Sequence, residues 1–234
     1  MSSDLRPNSP ISDNIHWIKD RFVNAYIIDN SDSVVLIDTA INKKAVAIQK
    51  YLSSELENKP IKTIYLTHHH SDHMGGLHFL NEHQHPIVYT SEKDGEIITG
   101  KRKPPKPNSL ILKILYPVLS PLFTAKPISS TNFLNDQQLI DDFKVYHLPG
   151  HTMGSIGFLK DNVFFAGDSC RINDKKQEVF IGAKIFTESM EEAYKSLERV
   201  STLDFDILFT GHGTPILQDA KMRVLDAIEK LNKY

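Results

Sequence analysis

Three short apolar runs, at residues 15–18, 22–28 and 34–37, open the chain; they are rich in Val, Ile, Phe and Tyr and are separated by Asp, Asn and Ser clusters. That pattern predicts a β-meander. From Ile41 the spacing changes. Ile41, Ala45, Ile48, Leu52 and Leu56 form one stripe with Lys43, Lys44, Lys50 and Glu55 outside it, which predicts an amphipathic helix closed by Pro60. Residues 61–66 read as a buried strand, Gly75 and Gly76 lead into a helix through Leu77 and Leu80, residues 87–89 read as a strand and 91–98 as a short helix. Strand signals return at 143–148, 155–159 and 163–166. A helix follows whose face is Met190, Ala193, Tyr194 and Leu197, opened by a capping box of Ser189 and Glu192. A strand at 206–209 and a helix at 219–231, with Ala220, Val224, Ile228 and Leu231 on one face, close the pattern. No repeat or low-complexity linker divides this order, so one layered α/β domain over residues 1–234 is expected.

One segment departs from its surroundings. Residues 100–130 hold six of the chain's twelve prolines, the basic cluster Lys101, Arg102, Lys103 and Lys106, and the apolar run at 110–123. The segment is too apolar for a solvated linker, so it is expected to be a cap inserted in the domain and packed on its body. The apolar run spans 14 residues and contains Lys113 and two prolines, short of the ~18–20 that a membrane span needs.

Composition narrows the function classes. Apolar residues make up 40% and charged residues 24% of the 234, an ordinary folded-protein mix that excludes collagen, coiled coil and disorder. The net charge of −2 lacks the basic footprint of a phosphate-backbone binder, so nucleic acid is not an expected partner. With Cys170 as the single cysteine no intrachain disulfide forms, and the first residues lack the basic and apolar regions of a signal peptide, which favours the cytoplasm. One count is unusual: seven of the 11 histidines fall between positions 68 and 85. Histidine is the commonest metal ligand and the acid/base of neutral pH, so this density points to chemistry.

Within Thr67-His68-His69-His70-Ser71-Asp72-His73, His68 and His70 stand two apart at a strand end and can project to one side, while Asp72 and His73 on the following turn can serve a second position. Imidazole with carboxylate suits Zn, Fe, Co or Ni, and the absence of thiolate speaks for an open, catalytic site over a structural zinc. Four ligands do not complete two metal sites, so further ligands are expected at other strand ends. His151 in Pro149-Gly150-His151-Thr152, Asp168 in Ala166-Gly167-Asp168 and His212 in Gly211-His212-Gly213 meet that expectation, each beside a glycine.

This series, His-x-His-x-Asp-His followed by Gly-His-Thr, Gly-Asp and Gly-His-Gly, resembles the metallo-β-lactamase-fold hydrolases over about residues 22–215. The resemblance implies a four-layer αββα sandwich, with the Pro-rich apolar cap as an insertion, and a dinuclear site at one edge. By the same resemblance His68, His70 and His151 hold the first metal, Asp72, His73 and His212 the second, and Asp168 bridges them. Asp38 resembles the family's early strand-end aspartate, which supports the histidine loop from behind. The implied cofactors are two divalent ions, zinc foremost, with iron or manganese as alternatives. Two ions ~3.5–4 Å apart make hydroxide available at neutral pH, so hydrolysis is the expected reaction, with Asp72 orienting the nucleophile or taking its proton.

The remaining candidates read as structural. His69 is expected to point away from the ligand side, His78, His83 and His85 to be surface or packing residues, His147 to be structural, and His16 to lie on the first strand with no partner in view. Cys170 follows Asp168 by two positions but reads as a small buried hydrophobe. The chain ends about twenty residues after His212, which argues against the glutathione-binding extension of glyoxalase II, and the missing export signal argues against a β-lactamase. What remains is a hydrolase of an ester, thioester or lactone, with a small-molecule substrate of acyl or hydrophobic character suggested by the cap. The alternatives are a mononuclear iron persulfide dioxygenase of the same fold, a β-lactamase-like amide hydrolase, and a non-catalytic binding protein. Tyr116, Lys175 and Lys184 are available as leaving-group acids, and no spacing selects among them.

Overall fold

The computed structural model describes residues 5–105 and 125–233. Two sheets stack face to face. The first contains, in spatial order, β1 (Ser9–Pro10), β2 (Ile15–Asp20), β3 (Val23–Asp29), β4 (Val34–Ile37), β5 (Ile61–Tyr65), β6 (Ile87–Thr90) and β7 (Asn132–Phe133). The pairs from β1 to β4 are antiparallel, and those from β4 to β7 are parallel. The second sheet is built from β8 (Leu139–Ile140), β9 (Phe143–His147), β10 (Ile156–Lys160), β11 (Val163–Gly167) and β14 (Ile207–Thr210), in the order β14-β11-β10-β9-β8, with β11 and β14 parallel. A two-stranded ribbon of β12 (Arg171–Asn173) and β13 (Glu178–Phe180) stands apart.

Both sheets bury both faces, which is why their strands read as near-continuous apolar runs. Trp17, Tyr26, Ile28, Tyr65, Phe143, Phe158, Phe165 and Phe209 fill the space between the sheets. On the outside of the first sheet, Ile27, Leu36 and Ile64 pack with residues of α1 (Val46–Glu55), α2 (Leu77–Gln84) and α3 (Glu92–Ile98). On the outside of the second, Leu148, Phe164 and Leu208 pack with α4 (Met190–Ser201) and α5 (Ala220–Asn232). The result is the expected four-layer αββα sandwich.

Every strand expected from the sequence is present, with ends shifted by one or two residues. The helix expected from Ile41 starts instead at Val46. Ala40 and Ala45 have φ of +56° and +48°, so residues 40–45 form a turn that delivers the chain to the helix. Ala45 is nevertheless buried and Ile41 packs on the core, so the apolar spacing runs on across the turn that precedes the helix. Strands β1, β7, β8, β12 and β13, two or three residues each, carry no periodic signal and were not expected. The capping box is present in part: Ser189 Oγ accepts from Glu192 N. The centre of the expected cap, at 106–124, lies outside the described residues. Its flanks are tied to the body, with Ile128 buried and its N–H donating to Ile98 O, and Pro127 O bonded to His78 Nδ1.

Candidate metal centre

Five strands end at one edge of the sandwich. Asp38 follows β4, His68 to His73 follow β5, His151 follows β9, Asp168 follows β11, and His212 follows β14. The loops are laced together by backbone hydrogen bonds, Gly211 N to Gly167 O, Asn24 N to Gly211 O and Ile156 N to Thr67 O, so both sheets contribute to one site. Gly211 is required by close approach: a Cβ there would run into His73 Cε1 and Asp168 Oδ1. Gly167 has φ +53°, a left-handed conformation that aims Asp168 back over the sheet edge at no steric cost.

The seven expected ligand residues converge. The donor atoms of His68, His70 and His151 lie within 4.8 Å of one another, as do those of Asp72, His73 and His212 and those of His68, His73 and Asp168. Asp168 reaches both sides, its carboxylate lying 3.4 Å from His151 Nε2, 3.5 Å from His73 Nε2 and 3.2 Å from His212 Nε2. Asp72 Oδ2 is 3.3 Å from His212 Nε2. Five of the seven are buried, and His70 and Asp72 are the partly exposed pair that marks the mouth of the site.

Ring orientation is set from behind. His73 Nδ1 donates to Asp38 Oδ2 at 2.7 Å, and His212 Nδ1 donates to Phe22 O at 2.8 Å, which leaves both Nε2 atoms facing inward. His68 Nδ1 lies 3.0 Å from Thr67 Oγ1, and that hydroxyl donates to Asp38 Oδ2 at 2.8 Å. Asp38 itself has φ +61°, and its Oδ1 accepts from Thr67 N at 2.8 Å. The inward atoms His68 Nε2, His73 Nε2 and Asp168 Oδ1 are buried without a hydrogen-bond partner. Buried polar atoms are normally paired, so these orphans fit a cation.

Charge is distributed unevenly. Burial, reinforced by the neighbouring imidazoles, holds His68 and His70 well below the ordinary histidine value. Burial also brings His151 down to about 4. At His73 burial acts the same way, but Asp38, Asp168 and Asp72 override it and raise the ring well above its usual value. His212 is likewise raised, by Asp168 and Asp72 against burial. Burial opposes the charge on Asp168, yet His212 and His73 hold it well below the carboxylate range. Asp72 is lowered against burial by His73 and His212.

The residues read as structural fall elsewhere. His69 belongs to none of these donor groups, and its Nδ1 lies 3.1 Å from Asp94 Oδ2. His147 Nε2 bonds to Leu134 O, and His83 Nδ1 bonds to Phe79 O. His16 differs from expectation in having a partner, Tyr51 OH at 2.9 Å, in a buried pair. Cys170 is buried and its thiol is pushed up to about 12 by burial and by Asp168, so at neutral pH it keeps its proton. Lys175 and Lys184 are exposed, and Tyr116 lies outside the described residues.

Sequence reasoning missed the buried polar residues that hold the loops. Asn24 Nδ2 donates to Thr210 O and Gly213 O at 3.0 and 2.7 Å, while its Oδ1 accepts from Trp17 Nε1. Tyr26 OH donates to Thr210 O at 2.8 Å. The available signal was an asparagine inside the apolar run at 22–28. Thr67 and Asp94 act in the same way on the histidine loop.

The sequence model described as the metallo-beta-lactamase superfamily matches residues 18–212. The chain is 29% identical over 228 residues to the probable metallo-hydrolase YflN of Bacillus subtilis, covering 86% of this chain and 84% of that protein. It is 30% identical over 169 residues to a hydroxyacylglutathione hydrolase of Shewanella loihica, covering 70% of this chain but 50% of that protein, so the chain matches half the length of that relative. Among solved structures, a metallo-beta-lactamase family protein from Thermus thermophilus is similar in fold, with a TM-score of 0.72 and 22% identity over 96% of this chain and 81% of that one. No helix among the described residues is long and apolar enough to cross a membrane.

Proposed function

From the premise that the chain belongs to the metallo-beta-lactamase superfamily and is one of its metallo-hydrolases, we propose that it uses two divalent ions, zinc foremost, to hydrolyse an ester, thioester or lactone of a small acyl substrate. The observation that carries this reading is the pair of three-donor groups with the Asp168 carboxylate against both. His68, His70 and His151 would hold one ion, Asp72, His73 and His212 the other, and Asp168 would lie between them. The donor set fits: His68, His70 and His151 are held in the neutral form that ligates, carboxylates face His73 and His212, and the orphaned atoms His68 Nε2, His73 Nε2 and Asp168 Oδ1 are aimed inward. Such ions supply Lewis acidity and bring the pKa of water toward ~7.

The chain's own residues do the rest. Asp38 and Phe22 O fix the tautomers of His73 and His212, so neither ring has to reorient to ligate. Asp72, at the partly open mouth, has one oxygen, Oδ2, toward His212 and leaves its other oxygen to orient the attacking water and take its proton. The ring of Phe22 stacks on His212 with centroids 5.8 Å apart and remains 53% exposed, an apolar wall beside the donors that suits an acyl chain. The hydroxyacylglutathione hydrolases, whose name denotes cleavage of an acyl group from glutathione, support the thioester in particular.

The test is hydrolysis of p-nitrophenyl ester, thioester, lactone and β-lactam substrates, with and without a chelator. Turnover of ester, thioester or lactone that the chelator abolishes and zinc restores is expected. Oxygen uptake with a persulfide and no hydrolysis, or turnover of the β-lactam alone, would overturn the reading.

A further inference from the structure

Asp94 is a buried acid with no part in the donor groups. It sits on α3, 1% exposed, behind the histidine loop. Its Oδ2 accepts from His69 N at 2.8 Å and from Thr152 Oγ1 at 2.8 Å, and His69 Nδ1 lies 3.1 Å away. His69 N belongs to the peptide joining His68 to His69, immediately before His70, and Thr152 follows His151. One carboxylate oxygen therefore ties together the two loops that carry His68, His70 and His151, loops that come from different sheets. The other oxygen packs against Gly154, where a Cβ would collide with it, and Ser91, which caps α3 by accepting from Asp94 N, donates to Gly154 O. Burying a carboxylate is costly unless donors converge on it, and here they come from the backbone and side chains beside one donor set. Asp94 makes no bond to Asp72, His73 or His212 among the described residues; His73 is held by Asp38, His212 by Phe22 O, and the strand end before His212 by Asn24.

We propose that Asp94 is a positioning residue for the first ion alone: it clamps the His68–His70 loop to the His151 loop and so sets that site's affinity without affecting the second. The inference rests on the ligand assignment proposed above.

The experiment is competition of the zinc-loaded full chain against a chromophoric chelator, read as two separate zinc-release steps. His70→Ala and His212→Ala identify the steps, each removing one. Asp94→Ala is expected to weaken the His70-dependent step by about 10–100-fold, the usual range for a partner behind a ligand, and to leave the other within about threefold. Thr152→Val, which removes one hydrogen bond and keeps the shape, is expected to weaken the same step by less, and it decides the matter if Asp94→Ala does not fold. Equal weakening of both steps, or of neither, in a folded variant overturns the inference. If His70→Ala and His212→Ala do not each remove one zinc, the ligand assignment falls and the inference with it.

Discussion

The donors His68, His70 and His151 adjoin Asp72, His73 and His212, yet the two sets are held by different means. In the first, burial, reinforced by neighbouring imidazoles, keeps the rings neutral, and support comes from a hydroxyl, Thr67 Oγ1, and from the clamp on neighbouring backbone. In the second, carboxylates crowd the rings and raise His73 and His212, and support comes from direct bonds to their Nδ1 atoms. A set preorganised by burial depends on loop position, whereas a set preorganised by charge depends on its carboxylates. The same fold edge thus solves one problem in two ways.

The variant that breaks the comparison most completely is Asp168→Ala, since Asp168 contacts both sets. Removing it is expected to lower turnover by more than the roughly 100-fold upper range for residues that only support ligands, and to lower bound metal with it, as read by steady-state rates and elemental analysis. Asp38→Ala comes next. It removes three hydrogen bonds, from Thr67 N, Thr67 Oγ1 and His73 Nδ1, and is expected to weaken metal binding about 10–100-fold, chiefly at the second set, in the chelator competition. Asn24→Ala frees the loop bearing His212 and takes the Asn24 partner from Gly213 O and Trp17 Nε1, while Thr210 O keeps Tyr26 OH, at a cost of about 1–3 kcal/mol in denaturant unfolding. His70, on the other side, is expected to keep its ion in that variant.

The smallest effect lies behind the first set. Burial opposes the charge on Asp136, but hydrogen bonds from Arg199 and His147 N hold its carboxyl below the ordinary value. Arg199 also bonds to His147 O, four residues before His151. A carboxyl whose folded value is depressed contributes stability that is fully present above the unfolded value of about 3.9 and is lost as pH falls through the folded one. The pair is partly exposed, so Asp136→Asn is expected to cost less than about 1 kcal/mol at pH 7, with the difference from the parent shrinking as pH falls through the lowered folded value in thermal melts.

Long apolar runs and strand-end motifs were legible in the sequence because both depend on residues close together in the chain. His68, His70, Asp72 and His73 share one loop, and His151, Asp168 and His212 each follow an apolar strand and sit beside glycine. The supports were not legible. Asp94 lies 58 positions from Thr152, and Asn24 lies 186 from Thr210, so only folding reveals that each pair meets. The helix start at Val46 was missed for a related reason: apolar periodicity reports which residues face the core, and Ala45 faces it from a left-handed turn. The short strands escaped because two residues cannot display a period.

The most direct test of the central claim is the metal content of the full chain purified without added metal, by elemental analysis, beside the Asp168→Ala variant. Two equivalents of a divalent ion per chain, falling in the variant, is the predicted result. One equivalent or none in the parent after incubation with zinc and removal of the excess, or two retained in the variant, would contradict it.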